Sequence, residues 1–263
     1  MKIVVAVKHV PDVQSTRSLG ADGRLRRDGG DGTLNELDEN AVEAAVQIAA
    51  ATSGEVVALS VGPADANDAV RRALQLGAAR GILVSDDRLA GLDALGTAAV
   101  LAAAVVDEGD VDLVLTGMAS TDGLTSVVPT ALATYLGIPA LPLAARVDVV
   151  DATVHVHREL DHAVEDLTAA LPALVSVTDA ANEPSFPGFR AIMAARKKPV
   201  RTVGLDDLAG ALGTLGLDAD SLGGRTRVLH AEPRQPRTDR VLVTDDGQAG
   251  VELAAWLVDQ RLV

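Results

Sequence analysis

Short, unbroken runs of Val, Ile and Leu recur along this chain with helix-length stretches between them, and that alternation restricts its fold more than any other feature. The apolar runs are IVVAVK (3–8), EVVALSVG (55–62), GILVS (81–85) and DLVLTG (112–117). Between them, NELDENAVEAAVQIAAA (35–51), ADANDAVRRALQLGA (64–78) and DALGTAAVLAAAVVDEG (93–109) carry the spacing of helices. A strand with one wet face alternates apolar and polar residues. A strand that is apolar throughout must be covered on both faces, and helices between successive strands supply that cover in a parallel sheet. The pattern predicts an α/β fold, a mainly parallel sheet with helices on both faces.

From Arg146 the texture changes to RVDVVDATVHVHRELDHAVEDLTAALPALVSVTD, whose period-two alternation predicts an antiparallel hairpin excursion returning to a strand at 174–177. Past Val200 the sequence turns irregular, with Gly223, Gly224 and AEPRQPRTD (231–239), before an amphipathic helix around 250–263 that holds the only Trp, Trp256. The expected division is a nucleotide-binding domain over residues 1–200 and an extended C-terminal arm, 201–263, lying on a partner chain. The competing expectation folds the last helix back onto the protein's own sheet.

With no Cys in 263 residues, disulfides, thiol catalysis and iron–sulfur ligation are excluded, so a redox role requires an organic cofactor. A formal net charge of −14 opposes general nucleic-acid binding, which needs broad basic surface. The apolar runs fall short of the roughly 20 uninterrupted residues of a membrane span, so no membrane insertion is expected. The start, MKIVVAVKHVPD, is too short in apolar length for a signal peptide, and a cytoplasmic location is expected. His155, His157 and His162 lie close together, yet without a matching third ligand they read as hairpin residues facing solvent, not as a metal site. G-x-S-x-G, G-x-x-x-x-G-K-[ST] and G-x-G-x-x-G are all absent.

Three polar features stand out. TGMASTDGLTSVVP (116–129) follows the fourth strand and enters a helix ending near Gly137. Gly117 and Gly123 would allow close backbone approach, Ser120, Thr121 and Thr125 offer hydroxyls, and the next helix's first amides would face an anion. An ordinary turn capped by Asp122 or Thr125 accounts for the same residues. Asn35 and Asp38 open the first long helix with the spacing of an N-cap and the N3 acid of a capping box. Because Asn35 follows the first strand, ended by Lys8 and His9, both loops are expected over one end of the sheet, where ligands of such folds bind. The third feature, NEPSFPGFRAIMAARKKP (182–199), holds both phenylalanines, Phe186 and Phe189, of a chain with 2% aromatics. A buried ring is worth roughly 1.5–3 kcal/mol, so a core would be the expected place for them. Instead they sit among Pro184, Pro187 and Gly188, turn chemistry that belongs at a surface. Arg190, Arg196, Lys197 and Lys198 follow, with no acid from Phe186 to Val200. An apolar tip beside a basic rim reads as a docking loop.

Taken together the residues resemble the β subunit of electron transfer flavoprotein over nearly the whole chain. The likeness rests on VKHVPD (7–12), NELDENAVEAA (35–45), LSVGPADA (59–66), ALQLGAARGILVSDD (73–87), DLVLTGMASTDG (112–123), LPALVSVTDAANEP (171–184) and IMAARKKP (192–199). The resemblance implies an adenine nucleotide α-hydrolase-like fold and an α/β heterodimer. One redox-active FAD would lie at the interface, held mainly by the α subunit, with a non-redox AMP buried in β. It implies an AMP site of Ala6, Asn35, Val61, Gly117, Asp122, Gly123, Leu124 and Thr125, with Val13 and Leu37 near the flavin. It also implies a docking surface of Phe186, Phe189, Ile192, Met193, Arg196, Lys197 and Lys198 for acyl-CoA and related dehydrogenases, with Phe189 as the apolar anchor. Electrons would pass on to a membrane quinone reductase, the β chain having no catalytic turnover of its own. Leu124 departs from the Gln usual in the family, Ser185 from an Arg, and His162-Ala163 from a Gly-Gly turn. The alternatives are a bifurcating-type subunit, in which a second FAD replaces AMP and NADH is the donor, a nucleotide-hydrolysing enzyme of the same fold, and a purely structural subunit.

Overall fold

A computed structural model of the chain describes residues 1–27, 29–236, 238 and 241–263. Asp28, in the loop before the first long helix, and Arg237, Asp239 and Arg240, in the expected arm, lie outside the described residues. The first strand, β1 (Lys2–Ala6), is apolar on both faces for the reason its sequence gives: Ile3 and Val5 enter one core, Val4 and Ala6 the other. A short ribbon of β2 (His9–Pro11) and β3 (Gly32–Leu34) leads into α1 (Glu36–Thr52). The alternation then runs β4 (Glu55–Val61), α2 (Asn67–Leu76), β5 (Arg80–Val84), α3 (Ala94–Glu108), β6 (Leu113–Gly117) and α4 (Val128–Leu136). The strands β7 (Ala140–Val150), β8 (Thr153–Leu160), β9 (Ala163–Ala170) and β10 (Ala173–Val177) come next. The chain continues through α5 (Phe189–Ala195), β11 (Val200–Val203), α6 (Ala209–Thr214) and α7 (Ala249–Asp259).

These strands build one nine-stranded sheet in the order β11-β5-β4-β1-β6-β10-β7-β8-β9. Every neighbouring pair from β11 to β7 is parallel, and β8 and β9 add the antiparallel hairpin that the period-two stretch predicted. β7 serves both parts: its first residues pair with β10 and its later ones with β8. Ala144 pairs with both, and just before it Leu143 lies in the left-handed region with φ 64°, its amide donating to Ser176 Oγ at 3.0 Å.

Helices α1 and α2 cover one face of the sheet, and α3, α4 and α6 cover the other. Small residues let α3 lie close to the strands, with Ala98, Ala99, Ala102 and Ala103 all buried, and Asp93 caps it by accepting from the amides of Leu95 and Gly96 at 3.1 and 3.0 Å. The folded body continues beyond residue 200, because β11 extends the sheet and Val203, Leu205, Leu208, Leu212 and Leu222 pack into the second core. Just beyond Leu222 the chain is still tied to that body, the amides of Arg225 and Thr226 donating to Asp93 Oδ2 at 2.8 and 3.2 Å. In α7 no residue is buried, and Val251, Leu253, Trp256 and Val258 are exposed. Among the described residues no helix is long and apolar enough to cross a membrane.

The topology fixes where a site can form. From β1 the chain proceeds to β4 and β5 on one side and to β6 and β10 on the other, so the crevice beyond the carboxyl ends of β1 and β6 is a topological switch point. Because Leu115 is fully buried in β6, Leu115→Ala is expected to cost about 2–5 kcal/mol in denaturant unfolding. Val164→Ala, on the exposed face of the edge strand β9, is expected to change stability by less than about 0.5 kcal/mol.

Candidate functional site

At the switch point the end of β6 presses against the first turn of α1. A Cβ on Gly117 would lie 2.5 Å from Asp38 Oδ1 and 2.8 Å from both the carbonyl carbon and oxygen of Leu37, so glycine alone fits. The glycine expected to admit a ligand therefore admits a helix. Across that contact Asp38 Oδ2 accepts from the Lys8 amide at 2.8 Å and Oδ1 from the Gly117 amide at 3.2 Å. One carboxylate thus joins the ends of the neighbouring strands β1 and β6. Burial pushes the Asp38 carboxyl up from its ordinary 3.8 to about 7, although hydrogen bonds from Asn35, Lys8 and Gly117 and the Lys8 charge work the other way.

Asn35 is fully buried and holds the following loop: its Nδ2 donates to Ala119 O and its Oδ1 accepts from the Thr121 amide, both at 2.9 Å. The capping box expected from the spacing is not formed. Asn35 occupies the N-cap position, yet its side chain makes no cap bond, and Asp38 is turned toward the strands. The amides of Lys8 and Gly117 would otherwise be buried without acceptors, which outweighs the capping of a helix end. The capped-turn account of 116–129 is corrected likewise, since Val127 holds the N-cap position of α4 and no side chain caps it.

Asp122 has a side chain wholly covered from solvent, and its oxygens accept from Lys8 Nζ at 2.8 Å and Arg27 Nε at 2.6 Å. Lys8 Nζ also reaches Ser120 Oγ at 3.2 Å. Burial pushes this carboxyl up, but the Lys8 charge and hydrogen bonds from Lys8, Ser120 and Arg27 outweigh it and hold the pKa at about 2. Beyond it the loop 123–127 is exposed, with Leu124 and Ser126 in the left-handed region at φ 48° and 52°. Non-glycine residues held there are strained, a condition that clusters at ligand sites. Gly123 needs no such freedom, since an added Cβ would meet only Ser120 Oγ at an ordinary 3.4 Å.

Ala6 and Val61 flank the same end of the sheet on the side of the second core. Strand alternation puts Thr116 with them, because Leu113 and Leu115 enter the first core and Val114 the second. Thr116 Oγ1 is buried with no hydrogen-bond partner among the described residues. Apolar strand ends, an unpartnered hydroxyl, a strained loop and the cations Lys8 and Arg27 suit a nucleobase with an attached anion. A cleft of about 1340 Å³ opens alongside, lined by Arg24, Arg27, Asp93, Thr125, Arg225 and Arg227 among others.

The expected flavin neighbours lie near α1: Val13 is exposed in the loop after β2, and Leu37 is half-buried in the helix's first turn. In the 182–199 segment Phe186 and Phe189 are 94% and 78% exposed, Met193, Arg196 and Lys197 are exposed, and Ile192 is half-buried. Lys198 is a correction to the docking set. Its Nζ donates to Leu74 O at 2.9 Å and Ala78 O at 2.6 Å, closing the end of α2, and burial holds its pKa below the usual lysine value. Sequence reasoning also missed Arg27, which meets Asp122 across 95 positions of chain and so leaves no local signal.

Residues 22–208 match the family model described as the electron transfer flavoprotein domain. The chain is 37% identical over 270 aligned residues to proteins named electron transfer flavoprotein subunit beta from Mycobacterium bovis and Mycobacterium leprae, covering 99% of each chain. It is also 32% identical over 220 residues to subunit CarD of a caffeyl-CoA reductase-Etf complex from Acetobacterium woodii, covering 83% of this chain and 84% of that one.

Two outcomes follow from the Asp38 contact. A folded-state pKa raised to about 7 means that the native protein keeps a proton which the unfolded chain releases near pH 4. The stability held in this group is therefore full below about pH 4 and lost as pH rises through about 7. Unfolding curves at about pH 5 and about pH 8 should show the wild type losing ground to Asp38→Asn as pH rises; curves that keep a constant offset count against the assignment. Gly117→Ala should cost at least the roughly 1–3 kcal/mol typical of overpacking, because the obstructing atoms include the Leu37 backbone, which side-chain repacking does not move.

Proposed function

The chain belongs to the electron transfer flavoprotein family as a β subunit, and from that premise we propose that it carries AMP at the switch point, helps enclose an FAD held mainly by an α subunit, and docks dehydrogenases on residues 182–199. The observation that carries the docking role is the exposure of Phe186 and Phe189, at 94% and 78%, on a segment fixed to the body at both ends. Large rings left in water on an ordered segment mark a contact surface rather than a folding fault. With Ile192, Met193, Arg196 and Lys197 they form an apolar tip with a basic rim. Opposite charge speeds encounter, and a small apolar anchor lets an acyl-CoA or related dehydrogenase leave again quickly.

The residues present fit an adenine nucleotide. Ala6 and Val61 would flank the base, the unpartnered Thr116 hydroxyl would gain a partner, and Lys8, Arg27 and Thr125 would face the phosphate. Both cations meet the Asp122 carboxylate, which sets where their charge stands. Asp122, being ionised and covered, orients the cations, while Leu124 has its side chain in solvent and its amide spent on Ser120 O at 2.8 Å, so it shapes the loop rather than offering a donor. Asn35 and Asp38 act beneath, by fixing the loop and strand ends. When bound, the FAD supplies the redox chemistry, and Val13 and Leu37 would give it an aliphatic neighbourhood. The exposed apolar residues of α7 would lie on the α subunit, and electrons would leave for a quinone reductase at the membrane, met from the cytoplasm.

One observation favours the second possibility, a bifurcating-type subunit with a second FAD in place of AMP and NADH as donor. The cleft beside Thr125 is far larger than a mononucleotide needs and is lined by arginines. Denaturing the purified heterodimer and identifying the released nucleotides separates the two: one FAD and one AMP are expected, and two FAD would transfer the assignment to the bifurcating type. For docking, Phe189→Ala removes an anchor worth about 2 kcal/mol and is expected to weaken dehydrogenase affinity roughly 30-fold with FAD content unchanged. Wild-type transfer kinetics in that variant would refute the docking surface.

A further inference from the structure

The segment that presents the phenylalanines is tied down by side chains that the proposed function leaves unused. At its start, Asn40 Nδ2 donates to Asn182 O at 2.8 Å and approaches Asn182 Oδ1 at 3.3 Å, while Asn182 Nδ2 donates back to Asn40 O at 3.0 Å. One turn further along α1, Glu43 Oε2 accepts from the Ser185 amide at 3.2 Å, and its Oε1 accepts from Gln47 Nε2 at 2.8 Å. At the far end Arg71 Nη1 donates to Lys198 O at 2.9 Å and Ala195 O at 3.4 Å, and the Lys198 ammonium closes α2. Between these ties Phe186 and Phe189 stand in solvent.

Asn40 and Glu43 are expensive choices for their places. Both are buried on α1 among Ala41, Val42, Ala44, Ala45, Ile48 and Ala49, where Ala would favour the helix and avoid burying polar atoms. The Glu43 carboxylate is buried against two amide donors, the Ser185 backbone and the Gln47 side chain. The contacts span 142 positions of chain and end on backbone groups of 182–185, so they fix where that segment leaves the body and not merely its side chains. Fixing a loop before a partner arrives spares the backbone ordering entropy that docking would otherwise cost.

We propose that Asn40 and Glu43 are positioning residues for dehydrogenase docking: together with Asn182 they form a latch that holds the exit of the docking segment so that the Phe189 ring is presented in one orientation. This rests on the docking role proposed above. The test uses the heterodimer with FAD bound and an acyl-CoA dehydrogenase reduced by its own acyl-CoA, and reads KM for the dehydrogenase, kcat, flavin absorbance and melting temperature. Asn182→Ala and Glu43→Ala should each raise KM about fivefold, the effect of one lost hydrogen bond, with kcat and flavin content unchanged. Glu43→Gln keeps an accepting oxygen for the Ser185 amide and should restore KM. In a Phe189→Ala background Asn182→Ala should add nothing further, because the latch acts through that ring.

A lower melting temperature with wild-type KM would reduce the latch to a structural contact and overturn the proposal, as would full additivity with Phe189→Ala. Asn182→Ala leaves α1 intact and carries the test if the Glu43 variant does not assemble. If Phe189→Ala alone leaves KM unchanged, the docking role fails and the latch with it. If Phe189→Ala raises KM while the latch variants do not, only the latch fails.

Discussion

A single buried carboxylate closes the end of the sheet on which everything else is arranged. Strands β1 and β6 both finish with amides that have left the ladder, and Asp38 accepts from both at once, through Lys8 N and Gly117 N. For that to happen the first turn of α1 must sit against the end of β6, and the contact leaves no room for a Cβ at Gly117. Asn35, one turn earlier, then reaches the loop after β6 through Ala119 and Thr121. The same burial that makes the carboxylate an effective clasp raises its pKa to about 7, so the clasp is strained where it is ionised. Each amide meets a different oxygen, and an Asn in this place would turn an NH2 group toward one of them, which accounts for an acid in a place that penalises charge.

The electrostatics of the molecule are local exceptions to a strongly acidic whole. Against a formal net charge of −14, cations collect at two spots: around the crevice beyond β1 and β6, with Lys8 and Arg27 oriented by Asp122, and on the 182–199 segment, with Arg190, Arg196 and Lys197. Repulsion from the rest of the surface would keep anionic partners away elsewhere and direct them to these spots. Lys198, placed by its sequence neighbours in the second group, belongs to neither, because its ammonium is spent on the carbonyls that end α2.

How much of the molecule was legible in the sequence depends on how far each interaction reaches along the chain. The apolar runs and the helices between them depend on residues a few positions apart, so the parallel sheet and its hairpin could be read directly, and the turn residues Pro184, Pro187 and Gly188 marked the exposed segment. The ribbon β2–β3 and the edge strand β11 were not visible, being too short for a period to register. The site was read by type but not by bond. Capping spacing marks Asn35 and Asp38 as the residues that open the first long helix, but it describes their position and not their work, since their partners lie near residues 8 and 117–121. Arg27 and the Asn40–Asn182 pair escaped for the same reason, as contacts between distant positions with no motif of their own. The end of the folded body was also misplaced by pattern alone: Leu205, Leu208 and Leu212 fill the second core although the sequence around them reads as irregular.

α1 is where these parts meet. Its first turn holds the strand ends and the loop of the crevice through Asn35 and Asp38, and its middle holds the exit of the 182–199 segment through Asn40 and Glu43. A helix is stiff over such a distance because each residue is bonded to the next turn, and this one is packed on the sheet by Ala41, Ala45 and Ile48. A force that a docking protein would apply to the phenylalanines would therefore be taken up by a rod whose other end is fixed to the sheet, rather than dissipated in a loop. A subunit whose only task was to complete an assembly would gain from hiding those rings. A carrier that must meet several partners in turn gains from keeping them in water, provided that the helix below keeps them pointing one way.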